Sequence, residues 1–503
     1  MHILTFDIGT TALKTALVDA HGRVCALHTE EYTPDAPKPD WAQMPVERYW
    51  HAAVTGCQAV RSQCSGEVAA IGFSSQGQSF VLLNASDQPL YPAMIWVDNR
   101  AREMMDEWRT WLGGNTTYHR ATGYPDVLPG LTLFMLAWLH RYCPETHNAA
   151  RLLCLPDYLI YRLTGEAVTD QVTAQASGMY DVAIRDWRTD WVRHAGYDAA
   201  ILPRVVASGA VAGALTRQAA DELGLTAGIP VCTGTNDQLS GALGAANVAP
   251  GITTETTGTA LAVVTTTDTM VIDTRLLSGL HPIDPYGYAL PYTPTSAVVL
   301  KWLRDLVWPD APYELLMQEA ATVPPGAGGL SVLPHFAGTA TPDFILDARG
   351  AILGLTLGHT RAHLIRAVME SCAFMLQECL QAVADQGVSL GPIRSLGGAA
   401  RSDLWLQIKA DLLNVPVERP ACSDAASLGA AILAAPSTGL FQTAQEAALS
   451  WYHPAGCFEP RADQHVIYQS LYARYQQVRK DLYYTTRAGL RADTETTGEV
   501  NPE

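Results

Sequence analysis

The sequence lacks a long run of apolar residues, and it is short of positive charge. Its longest apolar stretch, residues 131–139, is far below the ~20 residues that a membrane-spanning helix needs. The chain has 33 Lys and Arg against 50 Asp and Glu, which gives a net charge of -17. Such a negative field repels nucleic-acid phosphates and anionic lipid surfaces, so we expect neither nucleic acid nor membrane as a partner.

Cysteine pairs with metal-binding spacing are also missing. The ten cysteines are scattered along the chain, and no two of them form a Cys-X-X-Cys pair. This usage is typical of a reducing compartment and argues against a disulfide framework or a zinc site. No signal peptide precedes the first predicted strand, so we expect a cytoplasmic protein. With 503 residues the chain is long enough for two or more domains.

The polar run Gly234-Thr235-Asn236-Asp237-Gln238 follows an apolar stretch at residues 229–233 that predicts a buried strand. Small residues at 240–246 follow it and predict a helix built from small side chains. A carboxylate at the end of a strand lies at the edge where open α/β sheets bind ligands, so we predict that Asp237 is functional. The alternative is that Asp237 only caps the helix behind it.

A β-hairpin is predicted at the N-terminus, with the run Asp7-Ile8-Gly9-Thr10-Thr11 in its turn. Glycine lets the backbone approach a phosphate closely, and consecutive N–H groups there form an anion site. Thr10 and Thr11 add hydroxyl donors, and Lys14 adds a positive charge. Asp7 is suited to orient a hydrated Mg²⁺. The alternative is an ordinary glycine turn with threonines in its strand.

A second group of polar side chains follows another predicted strand. Gln76, Gln78, Trp96 and Asp98 all lie at predicted strand ends. Amides and a carboxylate bind the hydroxyl groups of a neutral polyhydroxylated ligand, and an indole ring packs on its C–H faces. The alternative is an ordinary polar turn in which Asp98 and Arg100 form a local ion pair.

The second half of the chain repeats the N-terminal pattern. The hydroxyl-rich turn Thr257-Gly258-Thr259 precedes a strand predicted at residues 261–265. Two such hairpins, one opening each half, indicate an internal duplication with two phosphate sites across one cleft. Farther on, the run Gly397-Gly398-Ala399-Ala400-Arg401-Ser402 lies between a strand and a helix predicted at residues 403–413. The free N–H groups of that helix favour a phosphate, and the glycines leave a flat surface for a nucleobase.

Together these segments resemble the FGGY family of carbohydrate kinases over nearly the whole chain. The family's C-terminal signature is matched closely by the run Gly350-Ala351-Ile352-Leu353-Gly354-Leu355 followed by residues 363–370. The resemblance implies an α/β protein with two ribonuclease-H-like, actin-like ATPase domains around a central cleft. Its expected division is a sugar-binding domain at residues 1–245, an ATP-binding domain at 246–486 and a polar tail at 487–503.

The resemblance also implies roles for individual residues. Asp237 is expected to be the catalytic base, and Asp7 and Asp237 are expected to hold Mg²⁺. The residues expected to bind ATP are Thr10, Thr11, Lys14, Gly258, Thr259, Gly397, Gly398 and Ser402. The residues expected to bind the substrate are Gln76, Gln78, Trp96, Asp98, Asp237 and Gln238. Members of the family are often dimers, so a homodimer is one expectation.

Residues 72–100 look most like the xylulokinases of that family, so the expected reaction is ATP-dependent phosphorylation of a pentulose such as xylulose. The chain departs from them at Gly77-Gln78, where xylulokinases usually carry Met-His and glycerol kinases carry Arg-Glu. Glycerol, erythritol and ribulose are therefore alternative substrates. A non-catalytic actin-like ATP-binding sugar sensor is a further alternative. A chaperone-type ATPase would not need the polar cluster that includes Gln76 and Trp96.

Overall fold

The computed structural model of the chain describes residues 1–485 and divides into two units. The first unit comprises Met1–Ile252, Val264–Ala289 and Ala421–His453, and the second comprises Thr253–Val263, Leu290–Pro420 and the chain from Pro454 onward. This division differs from the predicted boundary between residues 245 and 246, because two later segments pack in the first unit. The predicted tail at 487–503 lies outside the described residues.

The strands are numbered in chain order. They are β1 His2–Ile8, β2 Ala12–Asp19, β3 Val24–Glu31, β4 Gln43–Met44, β5 Val68–Ser75, β6 Phe80–Leu83, β7 Ala93–Met94, β8 Arg151–Cys154, β9 Val168–Asp170, β10 Tyr180–Asp181, β11 Asp186–Trp187, β12 Arg204–Val206, β13 Val211–Ala214, β14 Pro230–Cys232, β15 Thr235–Asn236, β16 Thr253–Thr257, β17 Leu261–Thr267, β18 Leu277–Leu280, β19 Gly287–Leu290, β20 Tyr292–Thr293, β21 Ser331–Leu333, β22 Ala351–Leu353, β23 Ile393–Leu396, β24 Val417–Pro420 and β25 Pro454–Phe458.

The α-helices are numbered in the same way. They are α1 Glu47–Gln63, α2 Met105–Trp111, α3 Asn115–Thr122, α4 Thr132–Tyr142, α5 Leu155–Thr164, α6 Gln171–Ala176, α7 Thr189–His194, α8 Arg217–Leu223, α9 Asp237–Gly244, α10 Ala297–Val307, α11 Tyr313–Ala321, α12 Arg361–Ala384, α13 Asp403–Leu413, α14 Ala425–Ala434, α15 Ala444–Trp451 and α16 Ala462–Lys480. The helix predicted at residues 403–413 is confirmed as α13. Within residues 1–485, none of these helices has both the length and the apolar character needed to cross a membrane.

The main sheet of the first unit has the strand order β13-β14-β5-β1-β2-β3, with β15 also paired to β5. Strands β1, β5, β14 and β15 are parallel, whereas β2, β3 and β13 run antiparallel to their neighbours. The register sets Asp7 beside Ser74 and Ser74 beside Thr235. Asp7, Gln76 and Asp237 therefore reach the same edge of the sheet, where three parallel strands end.

Different helices cover the two faces of this sheet. Leu4, Phe6 and Ile8 pack in a core cluster with residues of α1 and α5, whereas Ile3 packs in a second cluster with residues of α9 and α14. Side chains alternate between the faces along a strand. Asp7 therefore lies on the same face as Ile3, the face covered by α9 and α14.

Small residues allow α9 and α14 to pack with their backbones in contact. A Cβ atom on Gly429 would lie 1.8 Å from the Ser240 carbonyl oxygen, and one on Gly244 would lie 2.0 Å from the Ala425 carbonyl oxygen. Any side chain at either glycine would force the helices apart. This close packing brings α14 into the layer that carries Asp237.

The second unit repeats the arrangement of the first. Its strands follow the order β17-β16-β23-β24-β25, with β20 paired to β17. Strands β16 and β23 are parallel, and Thr256 lies opposite Leu396. The turns at Gly258 and Gly397 therefore emerge at one edge of this sheet. In the first unit, the hairpin β1-β2 is followed by β5, which pairs with β1 in parallel. In the second unit, the hairpin β16-β17 is followed by β23, which pairs with β16 in parallel, as the duplicated pattern predicts.

Candidate active site

Asp237 is the first residue of α9 and lies partly exposed where β15 ends. The cap of this helix is Asn236, whose Oδ1 accepts a hydrogen bond from the Gln238 backbone N–H at 3.0 Å. The alternative that Asp237 serves only as the helix cap is therefore wrong. Gln238 is the second residue of the helix and is partly exposed beside Asp237.

The pKa of Asp237 is far from its ordinary value. Burial, together with the negative charge of Asp7, raises the pKa of Asp237 to about 7. Backbone N–H groups at the helix start and the ammonium group of Lys14 oppose this shift. A carboxylate that titrates near neutral pH is well matched to accept a proton in a reaction.

Asp7, Lys14 and Asp424 form an ion cluster beside Asp237. Asp7 Oδ1 accepts a hydrogen bond from Ser74 Oγ at 2.7 Å. Lys14 Nζ lies 3.8 Å from Asp7 Oδ2 and 2.7 Å from Asp424 Oδ2. Asp424 caps α14, because its Oδ1 accepts from the Ser427 backbone N–H at 3.0 Å. The sequence analysis did not select Asp424.

Together with Asp237, this cluster has three carboxylates and one ammonium group, so its charges do not balance. Burial raises the pKa of Asp7, and the charge of Asp424 acts in the same direction. Burial alone would lower the pKa of Lys14, but Asp424, Asp7 and Asp237 outweigh it and raise that pKa. An excess of carboxylate oxygens fits a hard divalent cation such as Mg²⁺, and Asp7 and Asp237 are the residues that would hold it.

Thr10 links the turn at residues 7–11, which was predicted to bind phosphate, to the side chains that were predicted to bind the sugar. Its Oγ1 donates to Gln76 Oε1 at 3.0 Å and accepts from Trp96 Nε1 at 2.9 Å. The Gln76 amide in turn donates to the Gly9 carbonyl at 3.2 Å and to Tyr49 Oη at 3.3 Å. Both amide hydrogens of Gln76 are therefore used, one by the turn at Gly9 and the other by Tyr49 of α1. Trp96 is 45% exposed, so its ring face is open to a ligand.

Gln78 has a strained backbone. Its φ is 62°, in the left-handed region that non-glycine residues seldom adopt. Thr132 Oγ1 donates to the Gln78 carbonyl at 2.7 Å, and Gln78 Nε2 donates to Tyr124 Oη at 2.7 Å. Such strain clusters at functional sites, where the surrounding contacts hold it. Here it points the partly exposed Gln78 side chain in one fixed direction.

Asp98 is not available to a ligand. It is 0% exposed, and its Oδ2 accepts from the Ala42 backbone N–H at 2.6 Å. Both of its oxygens also contact the Arg100 guanidinium group at 2.8–3.0 Å, and that group lies over the Trp41 ring at 3.8 Å. The prediction that Asp98 binds the sugar is therefore wrong, because the buried ion pair with Arg100 occupies both oxygens.

The glycine turns of the second unit leave backbone open to solvent. Gly397 has a φ of 78°, and Gly398 is exposed with open space where a Cβ would be. Thr259 is exposed and Gly258 is partly exposed. Ser402 caps α13, because its Oγ accepts from the Trp405 backbone N–H at 3.2 Å. Its hydroxyl therefore shapes the start of α13.

A buried ion pair lies beneath these turns. Lys409 Nζ is 2.6 Å from Glu255 Oε1, and the two side chains are 1% and 0% exposed. Lys409 Nζ also donates to Thr257 Oγ1 at 3.0 Å, while that hydroxyl donates to Glu255 Oε2 at 2.6 Å. Ser395 Oγ donates to Glu255 as well. Because Thr257 and Ser395 lie on β16 and β23, the network ties together the strand ends that carry Gly258 and Gly397.

We expect Asp237 to destabilise the nucleotide-free protein as the pH rises. The pKa of Asp237 is about 7 in the folded chain against 3.8 ordinarily, so folding favours its protonated form. This contribution is fully present below about pH 4 and is lost by about pH 7. Relative to Asp237→Asn, the wild type should lose up to ~1.4 kcal/mol of unfolding free energy per pH unit in that window. Urea unfolding with a chelator present measures it.

The matched control is Asp190→Asn, an exposed carboxylate whose pKa Arg188 lowers. Its stability difference from the wild type should stay constant above about pH 5, because the group is ionised in both states there. If the difference in unfolding free energy between Asp237→Asn and the wild type stayed constant between about pH 5 and pH 7, the raised pKa of Asp237 would be contradicted.

Family models match both halves of the chain. The model described as "FGGY family of carbohydrate kinases, N-terminal domain" matches residues 2–244, and its C-terminal counterpart matches residues 254–437. A xylulose kinase of Bacillus subtilis is 28% identical to this chain, and the alignment spans 95% of this chain and 96% of the xylulose kinase. A glycerol kinase of Desulforamulus reducens is 30% identical to this chain, and the alignment spans 90% of this chain and 92% of the glycerol kinase.

Solved structures of sugar kinases share the fold. The xylulose kinase from Rhodospirillum rubrum matches with a TM-score of 0.89 at 27% identity, over 96% of this chain and 99% of that one. The ligand-bound xylulose kinase from Lactobacillus acidophilus also gives 0.89, at 24% identity over 96% and 98% of the two chains. The chain has the predicted two-domain actin-like ATPase fold, and it belongs to the FGGY family of carbohydrate kinases.

Proposed function

We propose that this carbohydrate kinase transfers the γ-phosphoryl group of ATP to a hydroxyl group of a pentulose, with xylulose as the first candidate. Asp237 carries the proposal: its pKa is about 7, and it lies beside Asp7 and Lys14 where parallel strands end. The names of the xylulose kinase relatives support the pentulose. The glycerol kinase relatives make glycerol the second candidate.

In the proposed reaction, Asp237 accepts the proton of the sugar hydroxyl while that oxygen bonds to the γ-phosphorus. The bond between the γ-phosphorus and the ADP oxygen breaks at the same time, and the proton ends on Asp237. A base with a pKa near the working pH suits this step, whereas positioning and charge neutralisation contribute most of the rate. Thr11 and Lys14 neutralise charge on the transferred group. The glycine turn with Gly258 and Thr259 binds phosphate of the nucleotide.

Kinases of this family use ATP normally with Mg²⁺. Asp7 and Asp237 would hold the ion through its water ligands, since a hydrated Mg²⁺ needs few carboxylates. The ion supplies positive charge to the phosphates of the nucleotide. The excess of carboxylates over ammonium groups in the ion cluster supports this assignment.

The remaining candidate site residues are assigned to nucleotide binding, to sugar binding or to positioning of other groups. The open backbone at Gly397 and Gly398 receives the nucleotide, and Ser402 supports that surface from the start of α13. Gln78, Trp96 and Gln238 contact the sugar. Gln76 was predicted to bind the sugar and Thr10 to bind ATP, but their polar atoms contact protein groups. We therefore assign them to positioning the turn at residues 7–11 and the Trp96 ring. All ten cysteines are free thiols, which supports the proposal that the enzyme works in the reducing cytoplasm.

The test is a coupled assay of ADP formation with Mg-ATP across pentuloses, hexuloses and polyols. We expect ADP formation to require the sugar, with the highest kcat/KM for a pentulose. Sugar-independent ADP release would identify a non-catalytic sensor or simple ATPase instead. A higher kcat/KM for glycerol than for every pentulose would replace the pentulose by the second candidate.

Gln78→Ala should raise the KM for the sugar by about tenfold and leave the KM for ATP nearly unchanged. The expected size follows from the loss of about one hydrogen bond, on the order of 1 kcal/mol. Alanine keeps the same left-handed backbone, so the variant tests the amide group alone. The control is Gln88→Ala, an exposed glutamine whose side-chain amide donates to the Ser86 carbonyl. Equal changes in the KM for the sugar and the KM for ATP would show that Gln78 does not contact the sugar.

Asp424→Asn should lower kcat by about 10- to 100-fold, because Lys14 loses the charged partner that fixes its position. Asparagine caps helices about as well as aspartate, so α14 keeps its cap. Thermal stability should therefore change little, and the KM for the sugar should change less than kcat. Wild-type kcat in this variant would show that Lys14 does not need Asp424. Asp190→Asn again serves as the control.

A further inference from the structure

Three side chains with metal-binding atoms converge at the end of the first unit's sheet that lies away from Asp7. His2 begins β1, Cys25 lies in β3, and Cys64 directly follows α1. One ligand atom of each lies within 4.8 Å of the other two. At about 3.3 Å per residue along β1, His2 is roughly 17 Å from Asp7. The cluster is therefore separate from the groups assigned to phosphoryl transfer.

The spacing of these atoms suits a tetrahedral metal ion. His2 Nε2 lies 3.6 Å from Cys64 Sγ. Zinc bonds of about 2.0–2.1 Å to nitrogen and about 2.3 Å to sulfur, at tetrahedral angles, place the two ligand atoms about 3.6 Å apart. The other ring nitrogen, Nδ1, is buried and has no hydrogen-bond partner among residues 1–485. The nitrogen that contacts a polar group is thus the one that faces the thiol.

The strand that carries Cys25 departs from regular pairing at that residue. Leu17 pairs with Ala26 and Val18 pairs with Val24, so Cys25 is the extra residue of a β-bulge. A bulge redirects the side chains of the strand that carries it. The pairing of β1 with β5 also shifts next to His2, but there the extra residue is Ala69 of β5. The bulge in β3 therefore sets the direction of the Cys25 side chain.

The charge and accessibility of the cluster also suit zinc. Two thiolates and a neutral imidazole balance the formal charge of a 2+ ion. The charged groups that act on His2 are the N-terminal amino group, Asp19 and Arg61. Cys25 is exposed, and His2 and Cys64 are half-buried, so an ion and a water ligand can enter from solvent.

We propose that His2, Cys25 and Cys64 bind one zinc ion, with water as the fourth ligand. Thiolate and imidazole ligands favour zinc over the hard cations that accompany ATP. The bound ion would join β1, β3 and the end of α1, and it would stabilise the folded state because the unfolded chain does not hold the three ligands together. This site is structural and independent of the proposed substrate.

The test is a zinc titration of the reduced, full-length protein without an added histidine tag, in competition with a chromophoric chelator. We expect one zinc per chain and a higher melting temperature with zinc. Cys64→Ala and Cys25→Ser should each weaken binding at least tenfold and abolish the thermal shift. Cys457→Ser, which removes an exposed thiol on β25, should leave both unchanged.

X-ray absorption of the zinc-loaded wild type tests the ligand set without any variant. We expect two sulfur ligands at about 2.3 Å and one nitrogen at about 2.0–2.1 Å. Stoichiometric zinc that persists in the double variant Cys25→Ser with Cys64→Ala would overturn the proposal. The proposal would also be overturned by a ligand shell without sulfur, by the absence of stoichiometric zinc binding, or by a disulfide between Cys25 and Cys64 that resists treatment with a reductant.

Discussion

Asp237→Asn is expected to lower kcat by about 10²- to 10⁴-fold, because the attacking hydroxyl loses the group that accepts its proton. Asparagine keeps the shape of the side chain and the helix cap at Asn236, so the protein should fold and bind nucleotide as the wild type does. Single-turnover ADP formation measures the chemical step, and calorimetric titration with ADP measures nucleotide affinity.

The control for this variant is Asp190→Asn, which removes an exposed carboxylate of the same unit. It should retain the wild-type kcat. Turnover of Asp237→Asn within a few-fold of the wild type would refute the assignment of Asp237 as the base. Loss of nucleotide binding together with turnover would instead indicate that Asp237 acts mainly on the metal and its phosphates.

Lys409→Met should destabilise the second unit by about 3–5 kcal/mol, because Glu255 would remain charged and buried without its partner. A change of that size lowers the melting temperature of a unit with about 200 residues by on the order of 10 °C. Scanning calorimetry measures the shift. The affinity for ADP should fall as well, since Thr257, which holds the turn at Gly258, loses a hydrogen bond to Lys409.

The double variant Glu255→Gln with Lys409→Met separates an unpaired charge from a general packing defect. It should recover part of the lost stability, because no charge remains buried in it. The matched control is Lys301→Met, whose ion pair with Asp305 is exposed and should contribute less than about 1 kcal/mol. Equal destabilisation by Lys301→Met and Lys409→Met would contradict the argument from burial.

Residues whose environment is local could be predicted from the sequence. Asp7 lies near the end of β1 and Asp237 follows β15, so the periodicity of the chain around them predicts their position at the sheet edge. The limits of α13 follow from Ser402, a strong helix cap, and from Asn414, which ends the helix in the left-handed region. The glycines at 244 and 429 likewise indicate that their helices pack closely.

Residues whose partners lie far away in the sequence could not be predicted in the same way. Asp98 has the residue type of a sugar ligand, but the Ala42 backbone and the Arg100 side chain occupy it. Asp424 belongs to the ion cluster only because α14 packs beside α9. Lys409 is the single cation of α13, and the sequence does not show that Glu255 lies opposite it.

The proposed zinc ligands show the same limit. The cysteine spacing argued against a zinc site, because Cys25 and Cys64 do not lie within one short motif. Their convergence with His2 depends on strand register, on a β-bulge at Cys25 and on where α1 ends. A search for spaced pairs of cysteines does not detect a site that is assembled from three separate elements.

The division of the chain has a consequence for its synthesis. The first unit is completed by Ala421–His453, so about 170 residues must emerge from the ribosome after Ile252 before α14 becomes available. At about 5–20 residues per second, the growing chain waits roughly 10–35 s with one sheet face covered by α9 but not yet by α14. That face includes Ile3, Val18 and Ala70. A nascent chain stalled in this interval should therefore be a substrate for chaperones that bind apolar strands, whereas the released protein should not.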